Sequence, residues 1–303
     1  MRFVSGPGGM RATDLDMRIV PRGTPAYPAM LEHLPDPPHR LWIAGREVVG
    51  LPPGVAIVGA RTPSHYGEEM ARGLASDLAR AGLCIVSGLA RGIDTCAHLG
   101  ALENGTTVAV LPGGIDHCYP ANNRELYERI VDEGSLVAEV PPGTPTHKHR
   151  FTHRNRIIAA LSLAVVVVQA AEQSGALATA RHAINIGREV FAVPGDVRLD
   201  VSAGVHGLLR DGAALCASAG DVLERIAPEL ERSAAQSAFA GIPADMPDVQ
   251  ARILECLGGA SMSIDGLGYA VGVVGGPLLG AITRLELAGW LGRGPGGRIH
   301  RVR

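Results

Sequence analysis

Between Thr146 and Arg156 the chain reads THKHRFTHRNR, which sets Lys148, Arg150, Arg154 and Arg156 around a single aromatic, Phe151. No Asp or Glu occurs between Glu139 and Glu172. Cations without acidic neighbours repel one another, so the pattern calls for an external anion, and a ring among them offers a face on which a base can stack. Lys148 and Phe151 are expected in a loop ahead of a helix beginning near Arg154, close enough together to hold a phosphate and stack its base. Arg154 and Arg156 flank Asn155 at that helix start, where the helix dipole disfavours cations unless an anion is present. Single-stranded nucleic acid is the first ligand this segment suggests. The structural alternatives are Phe151 as a core residue beneath the loop, and one of the two arginines as a buried internal partner.

Other chemistries fit less well. His147, His149 and His153 cluster in sequence, but alternate loop positions beside a basic run do not make a dependable tetrahedral metal site. Ser87 and Ser174 come with no His and Asp order that defines a hydrolytic triad. GARTPSHYG does not supply G-x-G-x-x-G, and Ser87 and Gly88 stand where an acidic residue would hold a ribose hydroxyl. A P-loop is also missing, so no nucleotide cofactor is expected. The run PGGIDHCYP resembles half of the P-G-G-x-G-T-x-x-E motif of nucleoside monophosphate hydrolases but carries neither the Gly-Thr pair nor the catalytic Glu. Binding without catalysis is therefore the expectation.

These residues must be positioned by a sheet. The runs VAIVG (55 to 59), LCIVSG (83 to 88), TVAVLP (107 to 112), SLVAEV (135 to 140), AVVVVQA (164 to 170) and EVFAVPG (189 to 195) are continuously apolar, as strands covered on both faces require. Helical stretches such as 68 to 81 and 122 to 133 separate them. The fold class predicted is α/β: a doubly wound, mostly parallel Rossmann-like sheet with a small C-terminal winged-helix domain. Ligands of such sheets bind beyond the carboxyl ends of the strands. There the chain places Gly59, Arg61 and Ser64, then Ser87 and Gly88, then Gly113 and Gly114, then Ser174 and Gly175 at a helix start. Arg61 is expected over the crevice in bidentate reach of a phosphate, its structural rival being a helix cap or a pair with Glu139.

Residues 1–50 read as an irregular extension packing on the core, anchored by Tyr27, Leu31, Leu34, Leu41 and Trp42. The Rossmann-like domain is expected over 51–230, with its last helix from Asp221 to Leu230. A linker of small residues and prolines follows at 231–246, then the winged-helix domain at 247–303. In that domain helices are predicted at 248 to 257 and 276 to 288, with a two-strand wing turning at Gly294 to Gly297.

The formal net charge is −2 over 303 residues, so affinity for an anion must come from a local patch rather than from the whole surface. Five scattered cysteines form no C-x-x-C pair and suggest reduced core residues. Neither a secretory signal nor a membrane span is recognisable, and a cytoplasmic location is expected.

Six motifs in order, VAIVGAR with SHYG, IVSGLARGIDTCAH, VLPGGIDHCYP, RFTHRNRIIAALS, SGALATA and VFAVPGD, resemble the DprA/Smf family of bacterial DNA-processing proteins over residues 20 to 225. The resemblance implies a non-catalytic protein that binds single-stranded DNA in natural transformation, protects incoming strands, loads the recombinase RecA and acts as a homodimer. It implies a DNA pocket at Arg61, Lys148, Phe151 and the turn Ser174–Gly175. The wider set expected to line that pocket is Gly59, Arg61, Ser87, Gly88, Gly113, Lys148, Phe151, Arg154, Arg156, Ser174 and Gly175. Two departures stand out: only about 20 residues precede the matching region, too few for the helical N-terminal domain of many members, and His206 replaces the usual Asn in GVHGLL.

Overall fold

In the computed structural model, which describes residues 15–228, 247–257, 261–293 and 297–301, two strands precede the apolar runs. Met17–Pro21 (β1) and Arg40–Gly45 (β2) pair antiparallel, with Ile19 opposite Trp42. The irregular extension expected here is thus corrected: these residues add to the sheet. A short edge strand and its short neighbour, separated by a Pro-rich turn, leave too few alternating positions to be read from sequence. Tyr27, Leu31, Leu34 and Leu41 are buried as anchors, whereas Trp42 is half-buried.

The six apolar runs form Gly54–Val58 (β3), Cys84–Ser87 (β4), Thr107–Leu111 (β5), Ser135–Ala138 (β6), Ala164–Val167 (β7) and Glu189–Ala192 (β8), all paired in parallel. With Ala214–Leu215 (β9) the sheet order is β1-β2-β6-β5-β4-β3-β7-β8-β9, and β2 joins β6 antiparallel. The intervening helices are His65–Arg80 (α1), Ile93–Asn104 (α2), Arg124–Glu133 (α3), Lys148–Ala160 (α4), Gly175–Asn185 (α5) and Asp200–Arg210 (α6).

Alternate strand residues serve two cores. Ala56, Val58, Val108, Val110, Val165 and Val167 pack with Ile157, Ile158 and Leu177 of α4 and α5. Ala109, Leu111, Leu136 and Ala138 pack with Leu102, Leu126 and Ile130 of α2 and α3. Helices on both faces explain the unbroken apolar runs. Because β3 leads into α1 and β7 into α5 while β3 and β7 lie side by side, a switch point opens at their carboxyl ends.

A helix over 219–228 (α7) covers the described part of the one expected from Asp221; residues 229 and 230, like the expected linker at 231–246, lie outside the described residues. The chain divides into two compact units, 1–226 and 227–303. In the smaller, Asp248–Leu257 (α8), Ser261–Met262 (β10), Ile264–Val271 (α9), Gly276–Leu287 (α10), Leu291–Arg293 (β11) and Ile299–Arg301 (β12) form a winged helix. Its strands run in the order β10-β12-β11, with Gly292 opposite His300, so the wing carries a third strand. Of the expected turn, 294–296 lie outside the described residues. Ile253, Leu257, Leu267, Ile282, Leu285 and Ile299 make its core.

The join of β2 to the sheet can be tested at Gly45. Its φ is +88°, and a Cβ there would stand 2.5 Å from the Gly134 carbonyl oxygen and 2.6 Å from that of Val131. Gly45→Ala should lower the unfolding free energy in urea by on the order of 1–3 kcal/mol. Gly50→Ala, with open space around the added methyl, should leave it within about 0.5 kcal/mol.

Candidate nucleic-acid interface

β3 leaves the sheet through Gly59, Ala60 and Arg61 and enters α1, whose N-cap Ser64 accepts the Gly67 N–H at 3.3 Å. Buried Gln169, just after β7, locks this entry: its Oε1 accepts the Ser64 N–H at 2.9 Å and its Nε2 donates to Ser64 Oγ at 2.8 Å. The turn is therefore fixed and the exposed Arg61 side chain is delivered to the switch point.

Arg61 lies over Phe151, its guanidinium carbon 4.7 Å from the ring centroid. Phe151 is half-buried rather than sealed in the core, and its ring meets Tyr119 edge-on, centroids 5.5 Å apart at 65°. Tyr119 comes from the loop after β5, so three strand ends contribute one cation–aromatic cluster. Lys148 is exposed one helical turn before Phe151 on the same side of α4. His147, the N-cap of α4, offers no side-chain hydrogen bond, and the first turn holds no acid, leaving the Lys148 and His149 N–H groups for an anion, while that of Arg150 goes to the His147 carbonyl at 3.0 Å.

The loop after β4, Gly88 to Gly92, touches the Arg61 turn: a Cβ on Gly92 would stand 2.9 Å from the Arg61 carbonyl carbon, and Gly92 has φ +77°. Leu89, wholly buried, holds φ +56°, a conformation that costs a side-chain-bearing residue on the order of 1–3 kcal/mol and persists only where neighbours impose it. The neighbours are identifiable. Buried Asp94 accepts the N–H groups of Gly88 (3.2 Å) and Ala90 (3.3 Å), and His98 Nε2 accepts that of Leu89 at 3.3 Å. Asn123 donates to the Leu89 carbonyl at 3.0 Å, and Arg154 donates to that of Gly88 at 2.9 Å and to Val110. Arg91, at the tip, is exposed and has no hydrogen bond or ion pair among the described residues.

Residues 18–227 match the family model described as DNA recombination-mediator protein A, and residues 235–297 that of the DprA winged helix domain. The chain belongs to the DprA/Smf family. A DprA relative from Mycobacterium tuberculosis H37Rv is 42% identical over 241 residues, 78% of this chain and 62% of its own length, and Protein Smf of Escherichia coli K12 is 36% identical over 288 residues, 93% and 76%. The chain thus spans less than two thirds of the mycobacterial relative. Among solved structures, DprA from Streptococcus pneumoniae matches with TM-score 0.66 at 38% identity, covering 69% of this chain and 74% of that one. DprA from Helicobacter pylori, described for its single-stranded DNA binding mode, matches with TM-score 0.65 at 29% identity, covering 73% and 99%.

Within this family fold, several residues expected at the pocket turn inward. α4 begins at Lys148, not near Arg154, so Lys148 and Phe151 lie in its first turn; the unfavourable dipole therefore acts on Lys148 and Arg150, whereas Arg154 and Arg156 sit farther along and find internal partners. Arg154 is buried beneath the Gly88 loop. Burial pushes its guanidinium down to about 10, with Asp94 opposing the shift, while burial pushes the Asp94 carboxyl up against the pull of Arg154. Arg156 is also buried, its NH2 donating to Glu139 at 2.5 Å, with Asp36 at 3.9 Å. Glu139 thus pairs with Arg156 and His153, not with Arg61.

Ser87 is sealed and donates to the Ile57 carbonyl at 2.6 Å. Gly88, Gly113 and Gly59 are required by the protein's own packing: a Cβ would meet the Arg154 guanidinium, Thr146 Oγ1 (2.6 Å) and Ile93 (2.7 Å) respectively. Ser174 and Gly175 stay accessible, Ser174 capping α5 through the Ala176 N–H at 3.2 Å. His206 spans to the Gly195 carbonyl at 3.1 Å. Sequence reasoning missed Arg91 and Tyr119, though the cation within SGLARG and the aromatic before Pro120 both follow strand ends.

His98 provides a test of the loop. Burial and the Arg154 charge push its imidazole down to about 3, so it is neutral, and Nδ1–H faces Thr107 Oγ1 at 2.7 Å, whose own O–H goes to the Ile85 carbonyl. The unfolded chain takes this proton near the ordinary histidine value of about 6.5 and the folded one does not. Stability is therefore complete above that pH and falls as pH drops from 6.5 toward 3. Urea unfolding of wild type should steepen below pH 6.5 by about 1.4 kcal/mol per pH unit relative to His98→Gln, which removes the titrating group.

Proposed function

We propose that this chain is a non-catalytic single-stranded DNA-binding protein acting in DNA processing during natural transformation. The observation that carries the reading is the cluster in which exposed Arg61 lies over Phe151 at 4.7 Å, one turn from exposed Lys148. Phosphates are held by Arg61, Lys148 and the first N–H groups of α4, with Arg91 and the Ser174–Gly175 turn beside them, while Phe151 stacks a base. The family and the single-stranded DNA binding mode of the H. pylori relative support it. The contacts of this reading go to phosphates and to a base face, neither of which carries sequence information, so sequence preference is slight.

Protection of incoming strands, loading of RecA and action as a homodimer belong to the same proposal and rest on the family resemblance. Two aligned pockets in a dimer would raise avidity for long strands through effective concentration. A cytoplasmic location belongs to the same proposal; among the described residues no single helix is long and apolar enough to cross a membrane.

Gel-shift titrations of single-stranded DNA, duplex DNA and RNA, with and without RecA, test the reading, and preference for the unpaired DNA strand is the expected result. Arg61→Ala and Lys148→Ala should each weaken binding and reduce the slope of log affinity against log salt by about 0.7. Unchanged affinity in both variants rejects the site. Phe151→Ala should cost on the order of 1–3 kcal/mol of binding free energy while leaving the salt slope intact.

A further inference from the structure

The ring that touches Phe151 has no internal task. Tyr119 is 45% exposed, and its hydroxyl has no hydrogen-bond partner among the described residues. Tyr66, similarly exposed, differs in donating its hydroxyl to the Pro194 carbonyl at 2.8 Å. The loop carrying Tyr119 is nevertheless held firmly. The Asp116 carboxylate accepts the Gly143 N–H at 2.9 Å, the Gly114 N–H reaches the Thr144 carbonyl at 2.9 Å, and Tyr127 donates its hydroxyl to Ile115. On the far side the Asn123 N–H reaches the Pro120 carbonyl at 3.0 Å. A ring on so fixed a loop loses little conformational freedom when a ligand stacks on it.

We propose that Tyr119 is a second base platform, which receives the nucleobase adjacent to the one on Phe151. This rests on the reading that the chain binds single-stranded DNA and adds a subsite to it. Arg61 already covers one face of Phe151, which makes Tyr119 the more open ring of the cluster. The geometry also sets the kind of strand accepted. Neighbouring bases in a duplex strand are parallel and about 3.4 Å apart, whereas the two rings stand 5.5 Å apart and 65° from parallel. Two consecutive bases on these rings must unstack from each other, and only an unpaired strand does so without breaking base pairs. Because every base has a π-face, the platform works for any sequence.

The experiment compares the affinity of the full chain for an oligothymidylate and for an abasic strand of the same length, which keeps the phosphates and lacks the bases. Tyr119→Ala should bind the oligothymidylate about five- to 150-fold more weakly and the abasic strand as wild type does. Tyr119→Phe should match wild type on both, since the hydroxyl has no partner. If Tyr119→Ala keeps wild-type affinity for oligothymidylate while Phe151→Ala weakens, the second platform is overturned and the single-stranded DNA reading stands. An equal loss on both strands also overturns it, by showing that the ring supports the fold of the loop. Failure of wild type to bind oligothymidylate overturns the reading and the platform together.

Discussion

A guanidinium sealed inside the protein, that of Arg154, governs the geometry of the crevice. Its donors are spent on the carbonyls of Gly88 and Val110, and its charge faces Asp94, which in turn caps the N–H groups of Gly88 and Ala90. Taking such charges out of water is unfavourable unless each is paired and hydrogen-bonded. Here that condition is met by the backbone of the Gly88–Ala90 loop together with the Val110 carbonyl of β5. The loop is therefore held to a single conformation, including the positive φ of Leu89, by Asp94, Arg154, His98 and Asn123 together. What hangs on the loop is thereby placed: Arg91 at its tip and, through the contact of Gly92 with the Arg61 turn, one flank of the cation–aromatic cluster.

The same economy explains why so basic a segment occurs in a chain of net charge −2. α4 uses its cations in two ways. Arg154 and Arg156, beyond the first turn, point inward, Arg154 donating to the Gly88 and Val110 carbonyls and Arg156 pairing with Glu139; Lys148, in the first turn, is exposed. A helix can do this because residues a turn apart share a side while intermediate positions point elsewhere. Glu139 and Asp94 are engaged with the inward arginines, which leaves their charge balanced inside the protein. An external anion then meets Arg61, Lys148 and helix N–H groups in a first turn that holds no acid.

Much of the fold was legible in sequence. Six uninterrupted apolar runs predicted six buried parallel strands because covering both faces of a sheet leaves no alternation to observe. Arg61, Phe151 and Lys148 stood out by type and spacing, and they lie at one strand edge. Less legible were β1 and β2, which are short and carry mixed polarity, and the start of α4, which lies at Lys148 and not near Arg154, because a first turn of histidines and cations without an acid carries no sequence signal of a helix start. Ser87, Gly88 and Gly113 show the other limit. A small residue at a strand end looks the same in sequence whether it makes room for a ligand or for Arg154 and Thr146.

The sequence by itself determined the class of sheet, the winged helix that follows it, and the presence of an acid-free cationic segment with one aromatic, since periodicity and composition are local properties of the chain. Only the tertiary structure decided which of those cations look outward and that Tyr119, thirty-two residues from Phe151 in the chain, is its ring partner. Those outcomes depend on where long-range neighbours such as Gly88, Val110 and Glu139 place their carbonyls and carboxylates. Such placement follows from the packing of the whole sheet, and no window of sequence contains it.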